Sequence, residues 1–164
     1  MTFFPKYLAL FGLSVFCLVT AGCSNSKPEG LPDLYPVTLK FVQEGAPCAD
    51  ASIILVPQDG NRWTTGGITD ANGVAVFRTH GQYPGVPAGK YKVTASKVES
   101  ELIGPPPKDS MMAPPQKVKS YYLIDPEYSD SGKSPLLIEV VAGKNNFEPL
   151  DLGKKVRVLQ NPGY

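Results

Sequence analysis

The sequence predicts an all-β fold, a sandwich or small barrel of seven or eight strands. The chain has 164 residues, of which 42% are hydrophobic and 19% charged, and this composition suits one globular domain. Its 17 prolines and 16 glycines interrupt the sequence too often for a bundle of long helices. Several short segments alternate apolar and polar residues, as half-buried strands do, and no segment has the spacing of an amphipathic helix.

The N-terminal segment has the order of a secretory signal. A short head with one basic residue, Lys6, precedes an uncharged stretch from Tyr7 to Ala21. This stretch is about 15 residues long, whereas a helix that spans a bilayer needs roughly 20. We therefore expect a cleaved signal rather than a permanent transmembrane helix.

The end of this segment, Thr20-Ala21-Gly22-Cys23, resembles the bacterial lipobox, in which small residues precede a cysteine that becomes acylated. The resemblance implies that residues 1–22 are a lipoprotein signal peptide and that Cys23 is the lipidation site and membrane anchor. In proteobacterial lipoproteins an Asp after the cysteine favours inner-membrane retention, so Ser24 implies a location in the outer membrane of the cell envelope. The alternative is an ordinary signal peptide, which leaves Cys23 a plain thiol.

The mature chain is predicted to begin with a flexible tether, residues 23–34, which is polar, rich in Pro and Gly, and without periodicity. A single β-sandwich domain follows over residues 35–160. If Cys17 is removed with the signal and Cys23 is acylated, Cys48 has no partner for an internal disulfide. We expect Cys48 to fill space in the core, because free cysteine is among the most buried residue types.

The first half of the domain contains the clearest strand patterns. Val37, Leu39 and Phe41 alternate with polar or smaller neighbours as in a half-buried strand. Ala51 to Val56 is apolar and β-branched, which predicts a strand covered on both faces. Further strands are predicted at Trp63 to Thr69, Val74 to Phe77 and Tyr91 to Ala95.

The segment Asp70-Ala71-Asn72-Gly73 carries a strong turn signal, because Asn and Gly tolerate positive φ and Asp can accept bonds from its own backbone. The same residues match the opening of a calcium loop. Such a loop needs a closing Glu, and the next acid after Asp70 is Glu99. A hairpin turn is therefore the favoured interpretation.

Residues 100–120 are predicted to form a long Pro-rich loop, because five prolines flank Met111 and Met112 and interrupt any ladder or helix. The preceding strand is expected to end near Val98 or Glu99. Long loops inside compact domains are often functional, and whether this one is functional or a spacer stays open.

The C-terminal part predicts a terminal hairpin. Leu136, Ile138 and Val140 alternate with their neighbours, residues 143–146 form a turn, and the chain returns through the apolar positions Phe147, Leu150 and Leu152. Residues 154–159, with the sequence KKVRVL, predict a short edge strand whose charges discourage pairing with another molecule.

A family resemblance rests on four segments in order. They are the turn Gly45-Ala46-Pro47, the strand at Ile53 to Val56, the hairpin from Thr69 to Phe77, and the strand entry Val86-Pro87-Ala88-Gly89-Lys90-Tyr91-Lys92-Val93. This order resembles the carboxypeptidase regulatory-like domain, a transthyretin-like Greek-key β-sandwich. The resemblance implies a non-catalytic module used for stability, surface presentation, or contact with proteins and glycans. The stretch from Ile124 to Val140 resembles the closing part of small secreted lipoproteins of planctomycete-type bacteria.

The residue inventory argues against an enzyme. The chain has one histidine, His80, whereas the hydroxyisourate hydrolases and intradiol dioxygenases of related folds use more than one. His80 and Cys48 are too few ligands for a zinc site, so no metal or cofactor is expected. A carboxylate pair for glycoside hydrolysis stays open, since Asp and Glu are plentiful. The 16 basic and 15 acidic residues are spread along the chain, so nucleic acid is not an expected partner.

These patterns predict a non-catalytic, lipid-anchored envelope protein with a structural or protein-interaction role. Its expected partners are the membrane, through the anchor, and an envelope protein or glycan. The alternative is a glycan or small-ligand binding module that stacks exposed aromatic rings on its ligand. The candidate ligand-stacking residues are Trp63, Tyr121 and Tyr122, with Tyr83 and Tyr128 as further candidates.

Overall fold

The computed structural model describes residues 27–104 and 117–160. The chain divides into two compact units, Met1–Leu31 and Pro32–Tyr164, and the strands described below lie in the second. The predicted signal peptide and Cys23 fall outside the described residues. No helix in the described ranges combines the length and hydropathy that a bilayer span requires.

The prediction of an all-β fold is confirmed. The described residues form fifteen short strands and one 3₁₀ helix, Pro126–Ser129. The strands are β1 (Leu34–Tyr35), β2 (Thr38–Gln43), β3 (Ala46–Pro47), β4 (Ser52–Pro57), β5 (Thr65–Ile68), β6 (Val74–Val76), β7 (Arg78–Thr79), β8 (Tyr83–Pro84), β9 (Val86–Pro87), β10 (Gly89–Ser96), β11 (Val98–Ile103), β12 (Lys117–Tyr122), β13 (Leu137–Val140), β14 (Leu150–Asp151) and β15 (Val158–Leu159).

The largest sheet has six antiparallel strands in the order β13-β10-β4-β5-β7-β8. Its longest strand, β10, pairs with β4 over six residues and with β13 over four. The alternation predicted from Tyr91 onward is present, since Tyr91, Val93 and Ala95 are buried. β10 therefore lies inside the sheet, where its bonds to both neighbours fix its register.

A second sheet is built around β2, which pairs with β14 and β3 and also with β6. The predicted inward side chains of β2, Leu39 and Phe41, are fully buried. The two sheets contribute to one core, an arrangement consistent with a β-sandwich. That core includes Leu39, Phe41, Ala75, Ile53, Leu55, Tyr91, Val93, Ala95, Ile138 and Val140.

Cys48 lies in this core with 4% of its surface exposed, so the prediction that it is buried is confirmed. Burial raises the pKa of the Cys48 thiol, because a thiolate is poorly solvated there. The neighbouring amines of Lys97 and Lys155 act in the opposite direction, more weakly than burial. A buried thiol with a raised pKa is a packing residue rather than a nucleophile.

The predicted turn at residues 70–73 is present and connects β5 to β6. The Asp70 carboxylate accepts hydrogen bonds from the backbone N–H groups of Val74, at 2.9 Å, and Asn72, at 2.8 Å. These bonds, the Val74 bond foremost, lower the pKa of Asp70. Gly73 has φ +74°, so the turn uses the conformational freedom that glycine provides.

The extent predicted for the Pro-rich loop was wrong. Residues 98–103 and 117–122, placed partly or wholly in the loop by the sequence, form the antiparallel strands β11 and β12, which pair over six residues. β15 joins β12 and completes a three-stranded sheet. All six residues of β11 are exposed, and Ser100 stands between Val98 and Leu102, so the apolar alternation is too short to predict this strand. Residues 105–116 lie outside the described ranges.

The predicted terminal hairpin was also wrong. β13 pairs with β10 in the six-stranded sheet, whereas β14 pairs in parallel with β2 in the other sheet. The connection does turn sharply, since the Asn145 side chain accepts a bond from the Val141 N–H at 2.9 Å and donates one to the Val141 carbonyl at 3.0 Å. The chain thus passes from one sheet to the other. The predicted strand at 154–159 is shorter than expected and covers Val158–Leu159.

Candidate functional site

The three-stranded sheet, formed by β11, β12 and β15, carries an unusual share of exposed apolar side chains. Eleven large hydrophobic side chains are exposed in the described residues, and six of them lie on these three strands. Exposed apolar surface concentrated in one place marks an interaction site more often than scattered single residues do. The six are Val98, Leu102, Ile103, Val118, Val158 and Leu159.

The register divides the side chains of this sheet between two faces, because paired residues share a face and successive residues alternate. The face we call the apolar face carries no charge. Its members are Val98, Ser100, Leu102, Val118, Ser120, Tyr122 and Val158. The opposite face, which we call the charged face, includes Glu99, Glu101, Lys117, Lys119 and Tyr121.

On the charged face, Arg157 joins two acidic residues of β11. Its guanidinium lies 3.5 Å from the Glu99 carboxylate and 3.2 Å from that of Glu101. The same group sits over the ring of Tyr121, 3.7 Å from the ring centroid, in a cation–π contact. Hydrogen bonding to Glu101 is the largest cause of a raised pKa for Arg157. This clamp connects all three strands of the sheet.

The sequence analysis did not identify Arg157 as a site residue. Its signal was present in KKVRVL, where basic and apolar residues alternate, but the pattern was interpreted only as protection of an edge. The partners of Arg157 lie 56 and 58 positions earlier in the chain, at Glu101 and Glu99. Their proximity depends on the pairing of β11 with β12, which the sequence did not predict.

Hydrogen bonds fasten the base of the three-stranded sheet to the rest of the domain. The buried side chain of Gln43 donates to the carbonyls of Leu123, at 3.1 Å, and Lys154, at 3.2 Å. The Lys97 ammonium donates to the carbonyl of Ala49 at 2.7 Å. The base is therefore held firmly, while β11 stays exposed along its whole length.

The first predicted ligand-stacking residue, Trp63, is not a surface platform. It is 8% exposed and precedes β5 of the six-stranded sheet. The His80 ring packs against it with centroids 4.9 Å apart, and the Arg62 guanidinium lies 5.1 Å from its ring centroid. A depression of about 130 Å³ beside Trp63 is well below the roughly 300 Å³ of a small ligand pocket.

The structure does not bring the other predicted rings together into one platform. Tyr121 and Tyr122 are adjacent on β12 and therefore lie on opposite faces. Tyr121 is covered by Arg157, and the Tyr122 hydroxyl accepts a bond from the Gln160 amide at 3.0 Å. Tyr128 packs against the core, and burial raises the pKa of its hydroxyl. Tyr83 lies on β8, in the six-stranded sheet. These positions disfavour the ring-stacking alternative.

Within residues 27–104 and 117–160, no three His, Cys, Asp or Glu side chains are grouped so that they could hold a metal ion. Buried hydroxyls are used for structure instead. Thr79 donates to the carbonyl of Gly85 at 2.8 Å, and Ser134 donates to the carbonyl of Val93 at 2.6 Å. No family model, curated protein or solved structure matches this chain.

Proposed function

We propose that this chain is a non-catalytic, lipid-anchored protein of the bacterial cell envelope that uses its three-stranded sheet to contact a partner protein. The observation that carries this proposal is the concentration of exposed apolar side chains on β11, β12 and β15. The uncharged face of this sheet, with Val98, Leu102, Val118 and Val158, offers the apolar surface that the centre of a protein interface uses. The role is recognition and presentation rather than chemistry.

The anchor is the acylated Cys23, with removal of residues 1–22 and an outer-membrane destination. Several acyl chains, each contributing about 0.8 kcal/mol per buried methylene, would hold the protein at the bilayer far more firmly than one myristoyl chain does. The tether would end where β1 begins at Leu34. Its 11 residues from 23 to 33 would let the domain stand away from the lipid by up to about 36–40 Å when extended. The domain could then meet a partner beyond the membrane surface.

The finer fold we propose is the transthyretin-like Greek-key sandwich of a carboxypeptidase regulatory-like domain, with the fifteen short segments grouped into seven or eight main strands. Support comes from Tyr91, whose hydroxyl donates to the carbonyl of Pro87, four residues upstream, at 2.9 Å. A tyrosine near the start of a strand that bonds backbone a few residues earlier is the corner found in Greek-key sandwiches.

The anchor is tested with Cys23→Ala and a matched control, Cys48→Ala, each expressed in a bacterium that processes lipoproteins. Cys23→Ala should lose acyl labelling and leave the membrane fraction, whereas Cys48→Ala should keep both properties. Mass spectrometry of the mature N-terminus should show residue 23 with its acyl groups. Unchanged fractionation of Cys23→Ala would refute the anchor.

The interaction surface is tested by cross-linking in cells with two exposed apolar residues of equal exposure. Leu102 on the apolar face and Val76 on β6 are each 66% exposed. Leu102→Glu should abolish cross-linked partner complexes, because it places a charge inside the contact, whereas Val76→Glu should leave them unchanged. Equal effects of the two substitutions would contradict a contact through the three-stranded sheet.

A further inference from the structure

Among the residues that the structure describes, strand β11 forms an open edge of the three-stranded sheet. It pairs with β12 on one side and stands at the end of the strand order, and all six of its residues are exposed. An edge strand presents backbone N–H and C=O groups that another chain can use. Which of these groups point outward follows from the hydrogen bonds of the sheet.

The Leu123 N–H donates to the carbonyl of Lys97 at 2.9 Å, so residues 97 and 123 form a hydrogen-bonded pair. In an antiparallel ladder such pairs alternate with pairs that do not exchange backbone bonds. Residues 99, 101 and 103 therefore bond to β12, and the backbone groups of Val98, Ser100 and Leu102 point away from it. The bond from the Gln160 N–H to the Ser120 carbonyl, at 2.8 Å, shows the same alternation on the other side of β12.

A second copy of this chain is a poor occupant of the edge. Consider an antiparallel pairing of β11 with itself that uses the outward-pointing groups. With Ser100 opposite Ser100, Glu99 lies opposite Glu101. The two adjacent registers that keep these bonds put Glu99 opposite Glu99 or Glu101 opposite Glu101. Like charges directly opposite each other are destabilising in a sheet, so the edge disfavours its own copy.

The side chains of β11 also indicate what kind of strand would pair with it. On one face, a strand added to β11 meets Glu99 and Glu101, whose carboxylates are paired with Arg157 but whose side chains stay more than half exposed. On the other face it meets Val98 and Leu102. A strand that alternates Lys or Arg with Val, Ile or Leu satisfies both faces at once, since cross-strand pairs of opposite charge and of apolar residues are favourable.

We propose that β11 accepts an extended basic–apolar segment of a partner protein as a fourth strand, held by the outward backbone groups of Val98, Ser100 and Leu102 and selected by Glu99 and Glu101. This names the partner chemistry of the surface described above and rests on the proposed interaction role. Main-chain bonds give such strand addition its affinity, and alternate side chains give its specificity.

The test uses the purified chain carrying Cys23→Ala and two peptides, acetyl-Thr-Lys-Val-Lys-Val-Thr-amide and the same peptide with Glu in place of Lys. Binding is followed by amide shifts in a nuclear magnetic resonance titration. The Lys peptide should bind at least about tenfold more tightly than the Glu peptide and should protect the Ser100 amide from hydrogen exchange.

Two substitutions of Ser100 form a matched pair. Ser100→Pro removes an outward N–H and no backbone bond to β12, because proline is tolerated on the open side of an edge strand. It also removes the Ser100 hydroxyl, which lies 3.0 Å from the Ser120 hydroxyl on β12. Ser100→Pro should weaken Lys-peptide binding at least about tenfold, whereas Ser100→Ala, which loses the same hydroxyl but keeps the N–H, should bind within about twofold of the parent. Equal binding by the two variants would overturn the proposal.

The double variant Glu99→Gln/Glu101→Gln removes both carboxylate charges but keeps side chains of the same size that can still accept hydrogen bonds from Arg157. It should remove the preference for the Lys peptide, which keeps the test decisive if Ser100→Pro does not fold. An unchanged preference overturns the selectivity we assign to the two carboxylates. Concentration-dependent dimers that Ser100→Pro abolishes would make the occupant a second copy and also overturn the proposal. The peptide titration contains no membrane, so loss of peptide binding says nothing about the anchor. If the peptide does not bind but cross-linking in cells still depends on Leu102, strand addition fails while the proposed interaction role stands.

Discussion

The Tyr91 hydroxyl donates a hydrogen bond of 2.9 Å to the carbonyl oxygen of Pro87, and both residues are buried. The bond closes the corner through which the chain enters β10, the strand that pairs with both β4 and β13. The Asp59 carboxylate lies near the same ring and disfavours ionisation of the Tyr91 hydroxyl. Loss of the hydroxyl would leave a buried carbonyl without its partner, and such a group is costly.

Tyr91→Phe should therefore lower the free energy of unfolding by about 1–3 kcal/mol, because the Pro87 carbonyl loses its donor while the ring still fills the core. Urea denaturation followed by fluorescence measures the change. Tyr83→Phe, at a half-buried position on β8, is the control and should change stability by less than about 0.5 kcal/mol. Equal stabilities of Tyr91→Phe and the parent would show that the corner bond contributes nothing.

Stability should fall at alkaline pH through the same residue. Burial, and secondly the Asp59 carboxylate, raise the pKa of Tyr91 to about 12 from its ordinary value of 10.0. The folded state thus favours the neutral phenol, and this contribution is complete below pH 10 and lost as the pH rises toward 12. The parent chain should lose stability across this window by an amount on the order of 2 kcal/mol more than Tyr91→Phe does. Parallel pH profiles for the two proteins would contradict the assignment.

The turn before β6 should be far more sensitive to glycine substitution than the turn after β2. Gly73 and Gly45 have nearly the same φ, +74° and +76°. A Cβ on Gly73 would press on the Phe41 carbonyl oxygen and lie 3.0 Å from the Cys48 nitrogen, whereas a Cβ on Gly45 meets nothing within 4 Å. Gly45→Ala should cost about 1–2 kcal/mol from backbone strain alone, and Gly73→Ala clearly more. Thermal and urea unfolding of both variants compare the two costs, and similar losses would exclude crowding at Gly73.

Cys48 should resist thiol reagents in the native protein. Burial leaves 4% of its surface accessible and raises its pKa, so both access and thiolate fraction are low. In a chain with Cys17→Ser and Cys23→Ala, a disulfide reagent at neutral pH should label Cys48 only when the protein unfolds. The same chain with Cys48→Ser provides the blank. Rapid labelling under native conditions would mean that the core around β2 opens readily.

The sequence predicted the elements that bury one face. β2 and β10 show period-two alternation because Leu39 and Phe41, or Tyr91 and Val93, point into the core. β11 was not predicted because Ser100 stands between its apolar positions Val98 and Leu102, and because none of its residues is buried. Because several prolines lie between β11 and β12 in the sequence, the whole region was interpreted as a loop.

Pairing partners and ring exposure were harder to predict than strand positions. The apolar positions around Ile138 and Leu150 were recognised, but a local pattern does not say which sheet a strand joins. Trp63 and Tyr121 were predicted as ligand-stacking residues because they are aromatic. In the structure His80 packs against Trp63 and Arg157 covers Tyr121, and neither contact is visible in the local sequence. The edge of β11 depends likewise on a register that only the structure supplies.

The parallel pair between β14 and β2 has a consequence for the order in which the second sheet can form. Leu150 of β14 lies opposite Phe41 of β2, so one flank of β2 pairs with a strand that lies more than a hundred residues later in the chain. Until β14 is made, β2 can pair with β3 and β6 but lacks its neighbour on this flank, so the second sheet stays incomplete. The C-terminal part of the chain is therefore needed before this sheet can close.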